Sequence, residues 1–149
     1  MKVVIQRVKS ADVSVESKLV SKIGQGYLLL AGIEDTDTIE DVNYLAQKVS
    51  NLRIFSDQDG KMNLSIEKIG GEILCISQFT LIADYKKGNR PSFIRAMAPE
   101  VASELIRVFE DELRKNNITV KSGIFGADMQ VQLINDGPVT IVMNSKTKD

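Results

Sequence analysis

Three short segments of the chain combine residue types that can do chemistry. In the first, Cys75-Ile76-Ser77-Gln78-Phe79-Thr80-Leu81, an apolar run ends in polar side chains interleaved with apolar ones. One reading is a strand whose Ser77 and Thr80 hydroxyls satisfy nearby backbone groups. The other is a strand end that offers backbone N–H groups and a hydroxyl to a substrate carbonyl. Preorganised donors stabilise such a carbonyl as it becomes an oxyanion, and losing one typically costs about 3 kcal/mol of barrier. The second segment is Asn135-Asp136-Gly137-Pro138-Val139-Thr140, whose local reading is a hairpin turn. However, a Pro directly after Gly removes a ladder donor where a strand begins, and an X-Pro bond is where a cis peptide is cheap, about 0.5 to 1 kcal/mol. A cis bond there would turn two carbonyls the same way, towards a ligand. In the third, Asp84 to Arg95, Lys86, Lys87, Arg90 and Arg95 face the single acid Asp84. This is either a solvated loop or a phosphate-contacting patch with Tyr85 or Phe93 available to stack on a base. Such contacts hold a polyanion without reading its sequence.

Two other features carry less. Cys75 has no second Cys and no His to activate it, which reads as a buried structural thiol. Asp57, Asp59 and Gly60 begin like a calcium loop, but Lys68 stands where the twelfth-position Glu belongs, so no metal is expected there.

What the chain lacks limits its chemistry. It has 149 residues, no His, no Trp and one Cys. Ser-His-Asp and Cys-His nucleophilic arrangements, His-rich zinc sites and multi-thiolate zinc sites are therefore excluded. Lys and Arg number 19 against 20 Asp and Glu, for a net charge of −1, so a nucleic acid would be held by a local patch and not by the chain as a whole. The first residues, Met-Lys-Val-Val-Ile-Gln-Arg, meet charge too early for a signal peptide, and no apolar run approaches the roughly 18 to 20 residues of a membrane span. These features lead us to expect a soluble, cytoplasmic protein of one domain, residues 1–149, with a frayed polar tail from 144 to 149.

The elements that must position these segments follow from periodicity. Residues 3–8 and 13–16 read as two opening strands, and Tyr27 to Ile33, apolar on both faces, as a buried central strand. Asp35 to Thr38 supplies capping side chains for a helix whose stripe is Ile39, Val42, Leu45, Ala46, Val49 and Leu52. Residues 62–66 and 72–79 read as strands. Pro99 opens a second helix with Val101, Ala102, Leu105, Val108, Phe109 and Leu113 as its buried stripe. Residues 129–133 and 139–143 read as two last strands joined by a turn. Strands, helix, strands, helix, strands predicts an α+β domain: a curved, mostly antiparallel, barrel-like sheet with two helices outside it. Its edges must be closed or covered, and pairing with a second copy is one solution.

Taken together, the segments make the chain resemble the D-aminoacyl-tRNA deacylase family. The matching stretches are Gln6-Arg7-Val8, Ile54-Phe55-Ser56-Asp57 with Gly60-Lys61-Met62-Asn63, Ser77-Gln78-Phe79-Thr80-Leu81 with Ala83-Asp84, Arg90-Pro91-Ser92-Phe93, and Ala127-Asp128-Met129 leading to Asn135-Asp136-Gly137-Pro138-Val139-Thr140. The resemblance implies a homodimer with active sites at the subunit interface. It also implies hydrolysis of the ester joining a D-amino acid, or mischarged glycine, to the terminal adenosine of tRNA, without cofactor or metal. Ser77 to Thr80 would line the pocket, and Gly137 and Pro138, inserted from the other subunit, would form the chirality filter. Backbone N–H groups of Phe79 and Thr80 would make the oxyanion hole and Gln78 would orient the ester or a water. The nucleophile is then either the Thr80 hydroxyl or, by preference, water assisted by the 2′-hydroxyl of the terminal adenosine. Lys86, Lys87, Arg90 and Arg95 would meet the tRNA. Two other classes compete: a non-catalytic nucleic-acid-binding module, and an editing domain of a synthetase, which the want of any further domain disfavours.

Overall fold

A computed structural model describes all residues, 1–149. The chain begins with one long strand, β1 (Lys2–Val15), then β2 (Lys18–Ile23) and β3 (Gly26–Gly32). Helix α1 (Ile39–Asn51) is followed by the short pair β4 (Phe55–Ser56) and β5 (Met62–Leu64), and then by β6 (Glu72–Ser77). A 3-10 turn (Phe79–Ile82), helix α2 (Pro99–Arg114), β7 (Thr119–Ser122) and β8 (Gln130–Asn144) complete it.

The main sheet runs β2-β1-β3-β6-β7, with β8 along the other edge of β1. The pairings of β1 with β2, β3 and β8 are antiparallel, while β6 lies parallel to both β3 and β7. The sheet curls until its ends meet. The Ser21 hydroxyl donates to the Ser122 carbonyl at 2.7 Å, and the Lys121 ammonium donates to the Lys22 carbonyl at 2.7 Å. Side chains thus nearly close a barrel that backbone pairing leaves open.

Curvature produces two cores. Val3, Ile5, Leu29, Ile73 and Cys75 face the helices and pack with Val42, Leu45 and Val49 of α1 and Phe109 and Leu113 of α2. Val8, Ala11, Val13, Leu28, Leu74 and Ile76 fill the barrel interior. Strands β3 and β6 are covered on both faces, which explains why each reads as a continuous apolar run. Helix α1 is capped by Thr38, whose backbone N–H donates to the Asp41 carboxylate at 2.9 Å.

Several boundaries differ from the sequence reading. The two expected opening strands are one. Strand β1 passes from the helix-facing core to the barrel interior, so the buried phase changes between Arg7 and Val8 and the polar Lys9-Ser10 falls at an irregularity, not a turn. The expected turn at residues 135–138 is likewise a bulge within the single strand β8. Strand β6 stops at Ser77, where the chain turns into the 3-10 segment. Strands β2 and β7 carry too few buried residues to show a period. In α2 the buried residues are Ala102, Ile106, Phe109, Glu110 and Leu113, while Val101 is exposed and Leu105 and Val108 are half-buried. Spacings of three and four fit either phase, and the helix packs on α1 and β7 in the one that buries Glu110.

Candidate active site

The end of β6 determines the site. Ser77 is its last residue, and the Gln78 N–H still donates to Ala31 O of β3 at 2.8 Å. The backbone then leaves the sheet: Leu81 N–H donates to Gln78 O at 3.2 Å and Ala83 N–H to Thr80 O at 3.2 Å. Phe79 and Thr80 open this 3-10 turn, so their N–H groups have no acceptor within it. The turn lies directly on β3 because residue 32 is glycine; a Cβ there would stand 2.8 Å from Gln78 O and 3.0 Å from Leu81 Cβ. Beside it, Gln78 Nε2 donates to Thr80 Oγ1 at 2.5 Å. The Phe79 ring, 58% exposed, meets Phe93 edge-to-face with centroids 5.1 Å apart.

Of these residues, Ser77, Gln78, Phe79 and Phe93 border a cleft of about 550 Å³, with Thr80 next to its lining. Ser77, Gln78 and Phe79 supply one wall, Phe93 and Met97 a second, and Phe125 and Met129 a third. The Phe79 N–H, the Gln78 amide and the Ser77 hydroxyl at the rim of a mostly apolar cleft, with the Thr80 N–H next to them, can receive a flat apolar group and stabilise an oxyanion beside it.

A smaller cavity of about 140 Å³ adjoins the cleft and shares Ser77, Ile106, Phe125 and Met129 with it. Glu110 lies in its wall beside Ser122 and Cys75. Burial pushes the Glu110 carboxyl up from its ordinary range, against the lowering influence of Ser122 and Arg114. Burial likewise raises the Cys75 thiol, with the nearby Glu110 charge adding to it. Sequence reading passed over Glu110, although it falls four residues after Ile106 and eight after Ala102 and so shares their face.

Gly137 and Pro138 are joined by a cis peptide and lie exposed on the β8 bulge, away from the lining of their own chain's cleft. Arg7 holds the bulge: Nε donates to Asp136 O at 3.1 Å, and the Asp136 carboxylate lies 3.6 Å from it. Arg7 Nη1 in turn donates to Ile54 O at 2.6 Å, which anchors the guanidinium to the segment entering β4. Gly137 has φ 132°, and a Cβ there would lie 2.8 Å from Val139 Cγ2 and 3.1 Å from Arg7 Nη2. Arg7 and Asn135 belonged to stretches singled out in the sequence, but no local signal assigned either a role.

In the basic loop, Asp84 and Ser92 exchange backbone hydrogen bonds of 2.8 Å each way, so the intervening residues form a closed excursion. Lys86, Lys87 and Arg90 are exposed on it, with Tyr85 76% exposed beside them. Arg95 differs from those three, because its Nη2 donates to the buried Glu34 carboxylate at 2.7 Å. Phe93 connects the loop's base to the cleft.

Curled sheet, outer helices and a mostly apolar cleft rimmed by a few polar groups together define a single-domain α+β protein with a small-ligand-sized site. The family model of D-Tyr-tRNA(Tyr) deacylase matches residues 4–144, and the chain belongs to that family. It is 57% identical, over the full length of both chains, to a D-aminoacyl-tRNA deacylase of Flavobacterium psychrophilum. Among solved structures it resembles a c-Myc DNA unwinding element binding protein, with a TM-score of 0.90, 43% identity and coverage of 97% of this chain and 98% of that one. It shares its fold with a probable eukaryotic D-amino acid tRNA deacylase at a TM-score of 0.83 and 18% identity, over 95% and 97% of the two chains.

Proposed function

We propose that the protein hydrolyses the ester of D-aminoacyl-tRNA, and of mischarged glycyl-tRNA, releasing the free amino acid and tRNA in the cytoplasm. The observation that carries this reading is the pair of unengaged N–H groups at Phe79, which lines the cleft, and at Thr80 next to it, in a chain of this family. The ester carbonyl sits against those donors, which strengthen as charge develops on its oxygen. Gln78, tied to Thr80, orients the ester or a water. Water attacks the carbonyl carbon, the C–O bond to the ribose breaks, and the departing oxygen takes a proton. The 2′-hydroxyl of the terminal adenosine relays protons where the protein has no imidazole.

Gly137 and Pro138 act as a stereochemical filter in the cleft of a second copy. Two features support a homodimer. The pair is exposed and outside its own cleft, and the far edge of β8 pairs with no strand while Ile134 and Val142 are exposed on it. Backbone carbonyls packed about the substrate's α-carbon would exclude an L side chain and leave D residues and glycine unobstructed, so selection reads configuration and not side-chain type. Lys86, Lys87 and Arg90 meet tRNA phosphates, and Arg95, through Glu34, secures the loop's return while leaving part of its charge to the surface.

The likeness to the DNA unwinding element binding protein favours a second reading, nucleic-acid binding without catalysis. Incubation with D-aminoacyl-tRNA and with uncharged tRNA separates the two. Release of free D-amino acid supports the deacylase, whereas equal, salt-sensitive binding of both without release supports the binding module. A substrate lacking the terminal 2′-hydroxyl should be cleaved at least about a hundredfold more slowly. Undiminished cleavage would remove the RNA's part, and complete loss in Thr80→Val would return the attack to that hydroxyl.

A further inference from the structure

The pairing of β1 with β8 is interrupted where the exposed Gly137-Pro138 pair projects. Gln6 pairs with Thr140 and Val8 with Asn135, which leaves Asp136, Gly137, Pro138 and Val139 opposite Arg7 alone. An excursion of this size deprives strand carbonyls of their ladder donors, the more so because Pro138 has no N–H. One side chain compensates for two of them. Asn135 Nδ2 donates to Arg7 O at 2.9 Å and to Val139 O at 3.0 Å, so a single amide nitrogen spans the mouth of the bulge and binds both its far end and the facing strand. At the near end the Arg7 guanidinium holds Asp136 O. Between the two anchors only Gly137 and Pro138 are exposed, while Asn135, Asp136 and Val139 are half-buried.

We infer that Asn135 is a positioning residue that fixes the direction of the Gly137 and Pro138 carbonyls and thereby sets the discrimination between D and L substrates. This rests on the reading of that pair as the filter. A site that selects by exclusion must hold its wall to within about 0.5 Å. A carboxamide with both hydrogens engaged does this at fixed reach, whereas a shorter hydroxyl could serve one carbonyl at most. A loosened wall first admits the substrate that was excluded. Asn135 variants therefore gain on L substrate more than they lose on D substrate.

Deacylation of matched D- and L-aminoacyl-tRNA by Asn135→Ala and Asn135→Asp, alongside the unaltered protein and with thermal unfolding of each, tests this. The D-over-L rate ratio should fall by about tenfold or more in both variants, chiefly through faster L cleavage. In Asn135→Asp, a carboxylate oxygen faces two carbonyls near pH 8. The facing Arg7 and Val139 carbonyls and the Asp136 carboxylate favour the protonated acid and the Arg7 guanidinium opposes it; protonation as pH falls restores one donor, so the ratio should recover towards low pH. Should the alanine variant not fold, the isosteric aspartate variant and its pH profile carry the test. Unaltered ratios with a lowered melting temperature, or a ratio in Asn135→Asp that ignores pH, would reduce Asn135 to a structural bond and overturn the inference. If the unaltered protein itself fails to discriminate, the filter fails and Asn135's role falls with it; if it discriminates and the variants match it, only Asn135's role is lost.

Discussion

Glu110 shows how a single residue can be placed by packing against its own preference. Helix α2 buries it because Ile106, Phe109 and Leu113 must be buried, and the carboxyl then lies beside Ser122 and Cys75 in the cavity behind Ser77. Burial raises its pKa above that of the unfolded chain. A group raised in this way adds its stabilising share in full below the ordinary carboxylate range and loses it as pH rises through the raised value. Glu110→Gln should therefore melt higher than the unaltered protein near pH 8, with the gap closing near pH 4. A variant less stable than the parent across that range would show that Glu110 is held by partners worth more than its burial costs. The same scale explains what the sequence conceals. Nothing in Phe79 or Thr80 as side chains marks them as donors, because the groups proposed to act are their backbone N–H groups, freed by the turn they begin.

At the scale of elements, the junction of β6 with the 3-10 turn sets the donors in place, and β3 is its platform. Gly32 allows the turn to lie against that strand, since any Cβ would press on Gln78 O at 2.8 Å. Gly32→Ala should shift the turn, cost about 1–3 kcal/mol of stability as an overpacked contact, and slow deacylation by about tenfold or more. Rates unchanged with the stability cost present would separate the turn's position from the chemistry. The elements that were legible in the sequence are those with strong periods or caps, such as α1 with Thr38 and Asp41, or β3 and β6 with apolar residues on both faces. The illegible ones have physical causes. Strand β1 changes cores at Arg7 and Val8, so its alternation breaks although its pairing continues. Strand β8 carries turn residues at 135–138 that build a bulge, because Arg7 and Asn135 supply from side chains what a broken ladder lacks. Local pattern cannot report partners so far away in sequence.

For the whole molecule, the nearly balanced charge and the absent imidazole acquire a common sense. With a net charge of −1, the proposed attraction for a polyanion falls to the loop closed by Asp84 and Ser92, next to Phe93 at the cleft. In the proposed function the cleft works through backbone donors and through a backbone wall from the second copy. Such a site judges the configuration of an α-carbon and remains indifferent to the side chain it carries. Its direct measurement is the rate of deacylation of D- and L-aminoacyl-tRNA bearing the same amino acid, with no added metal, at equal enzyme concentration. Cleavage of the D ester at least about a thousandfold faster than the L ester, with several different amino acids behaving alike, is the expected result. Equal rates for the two configurations would contradict it.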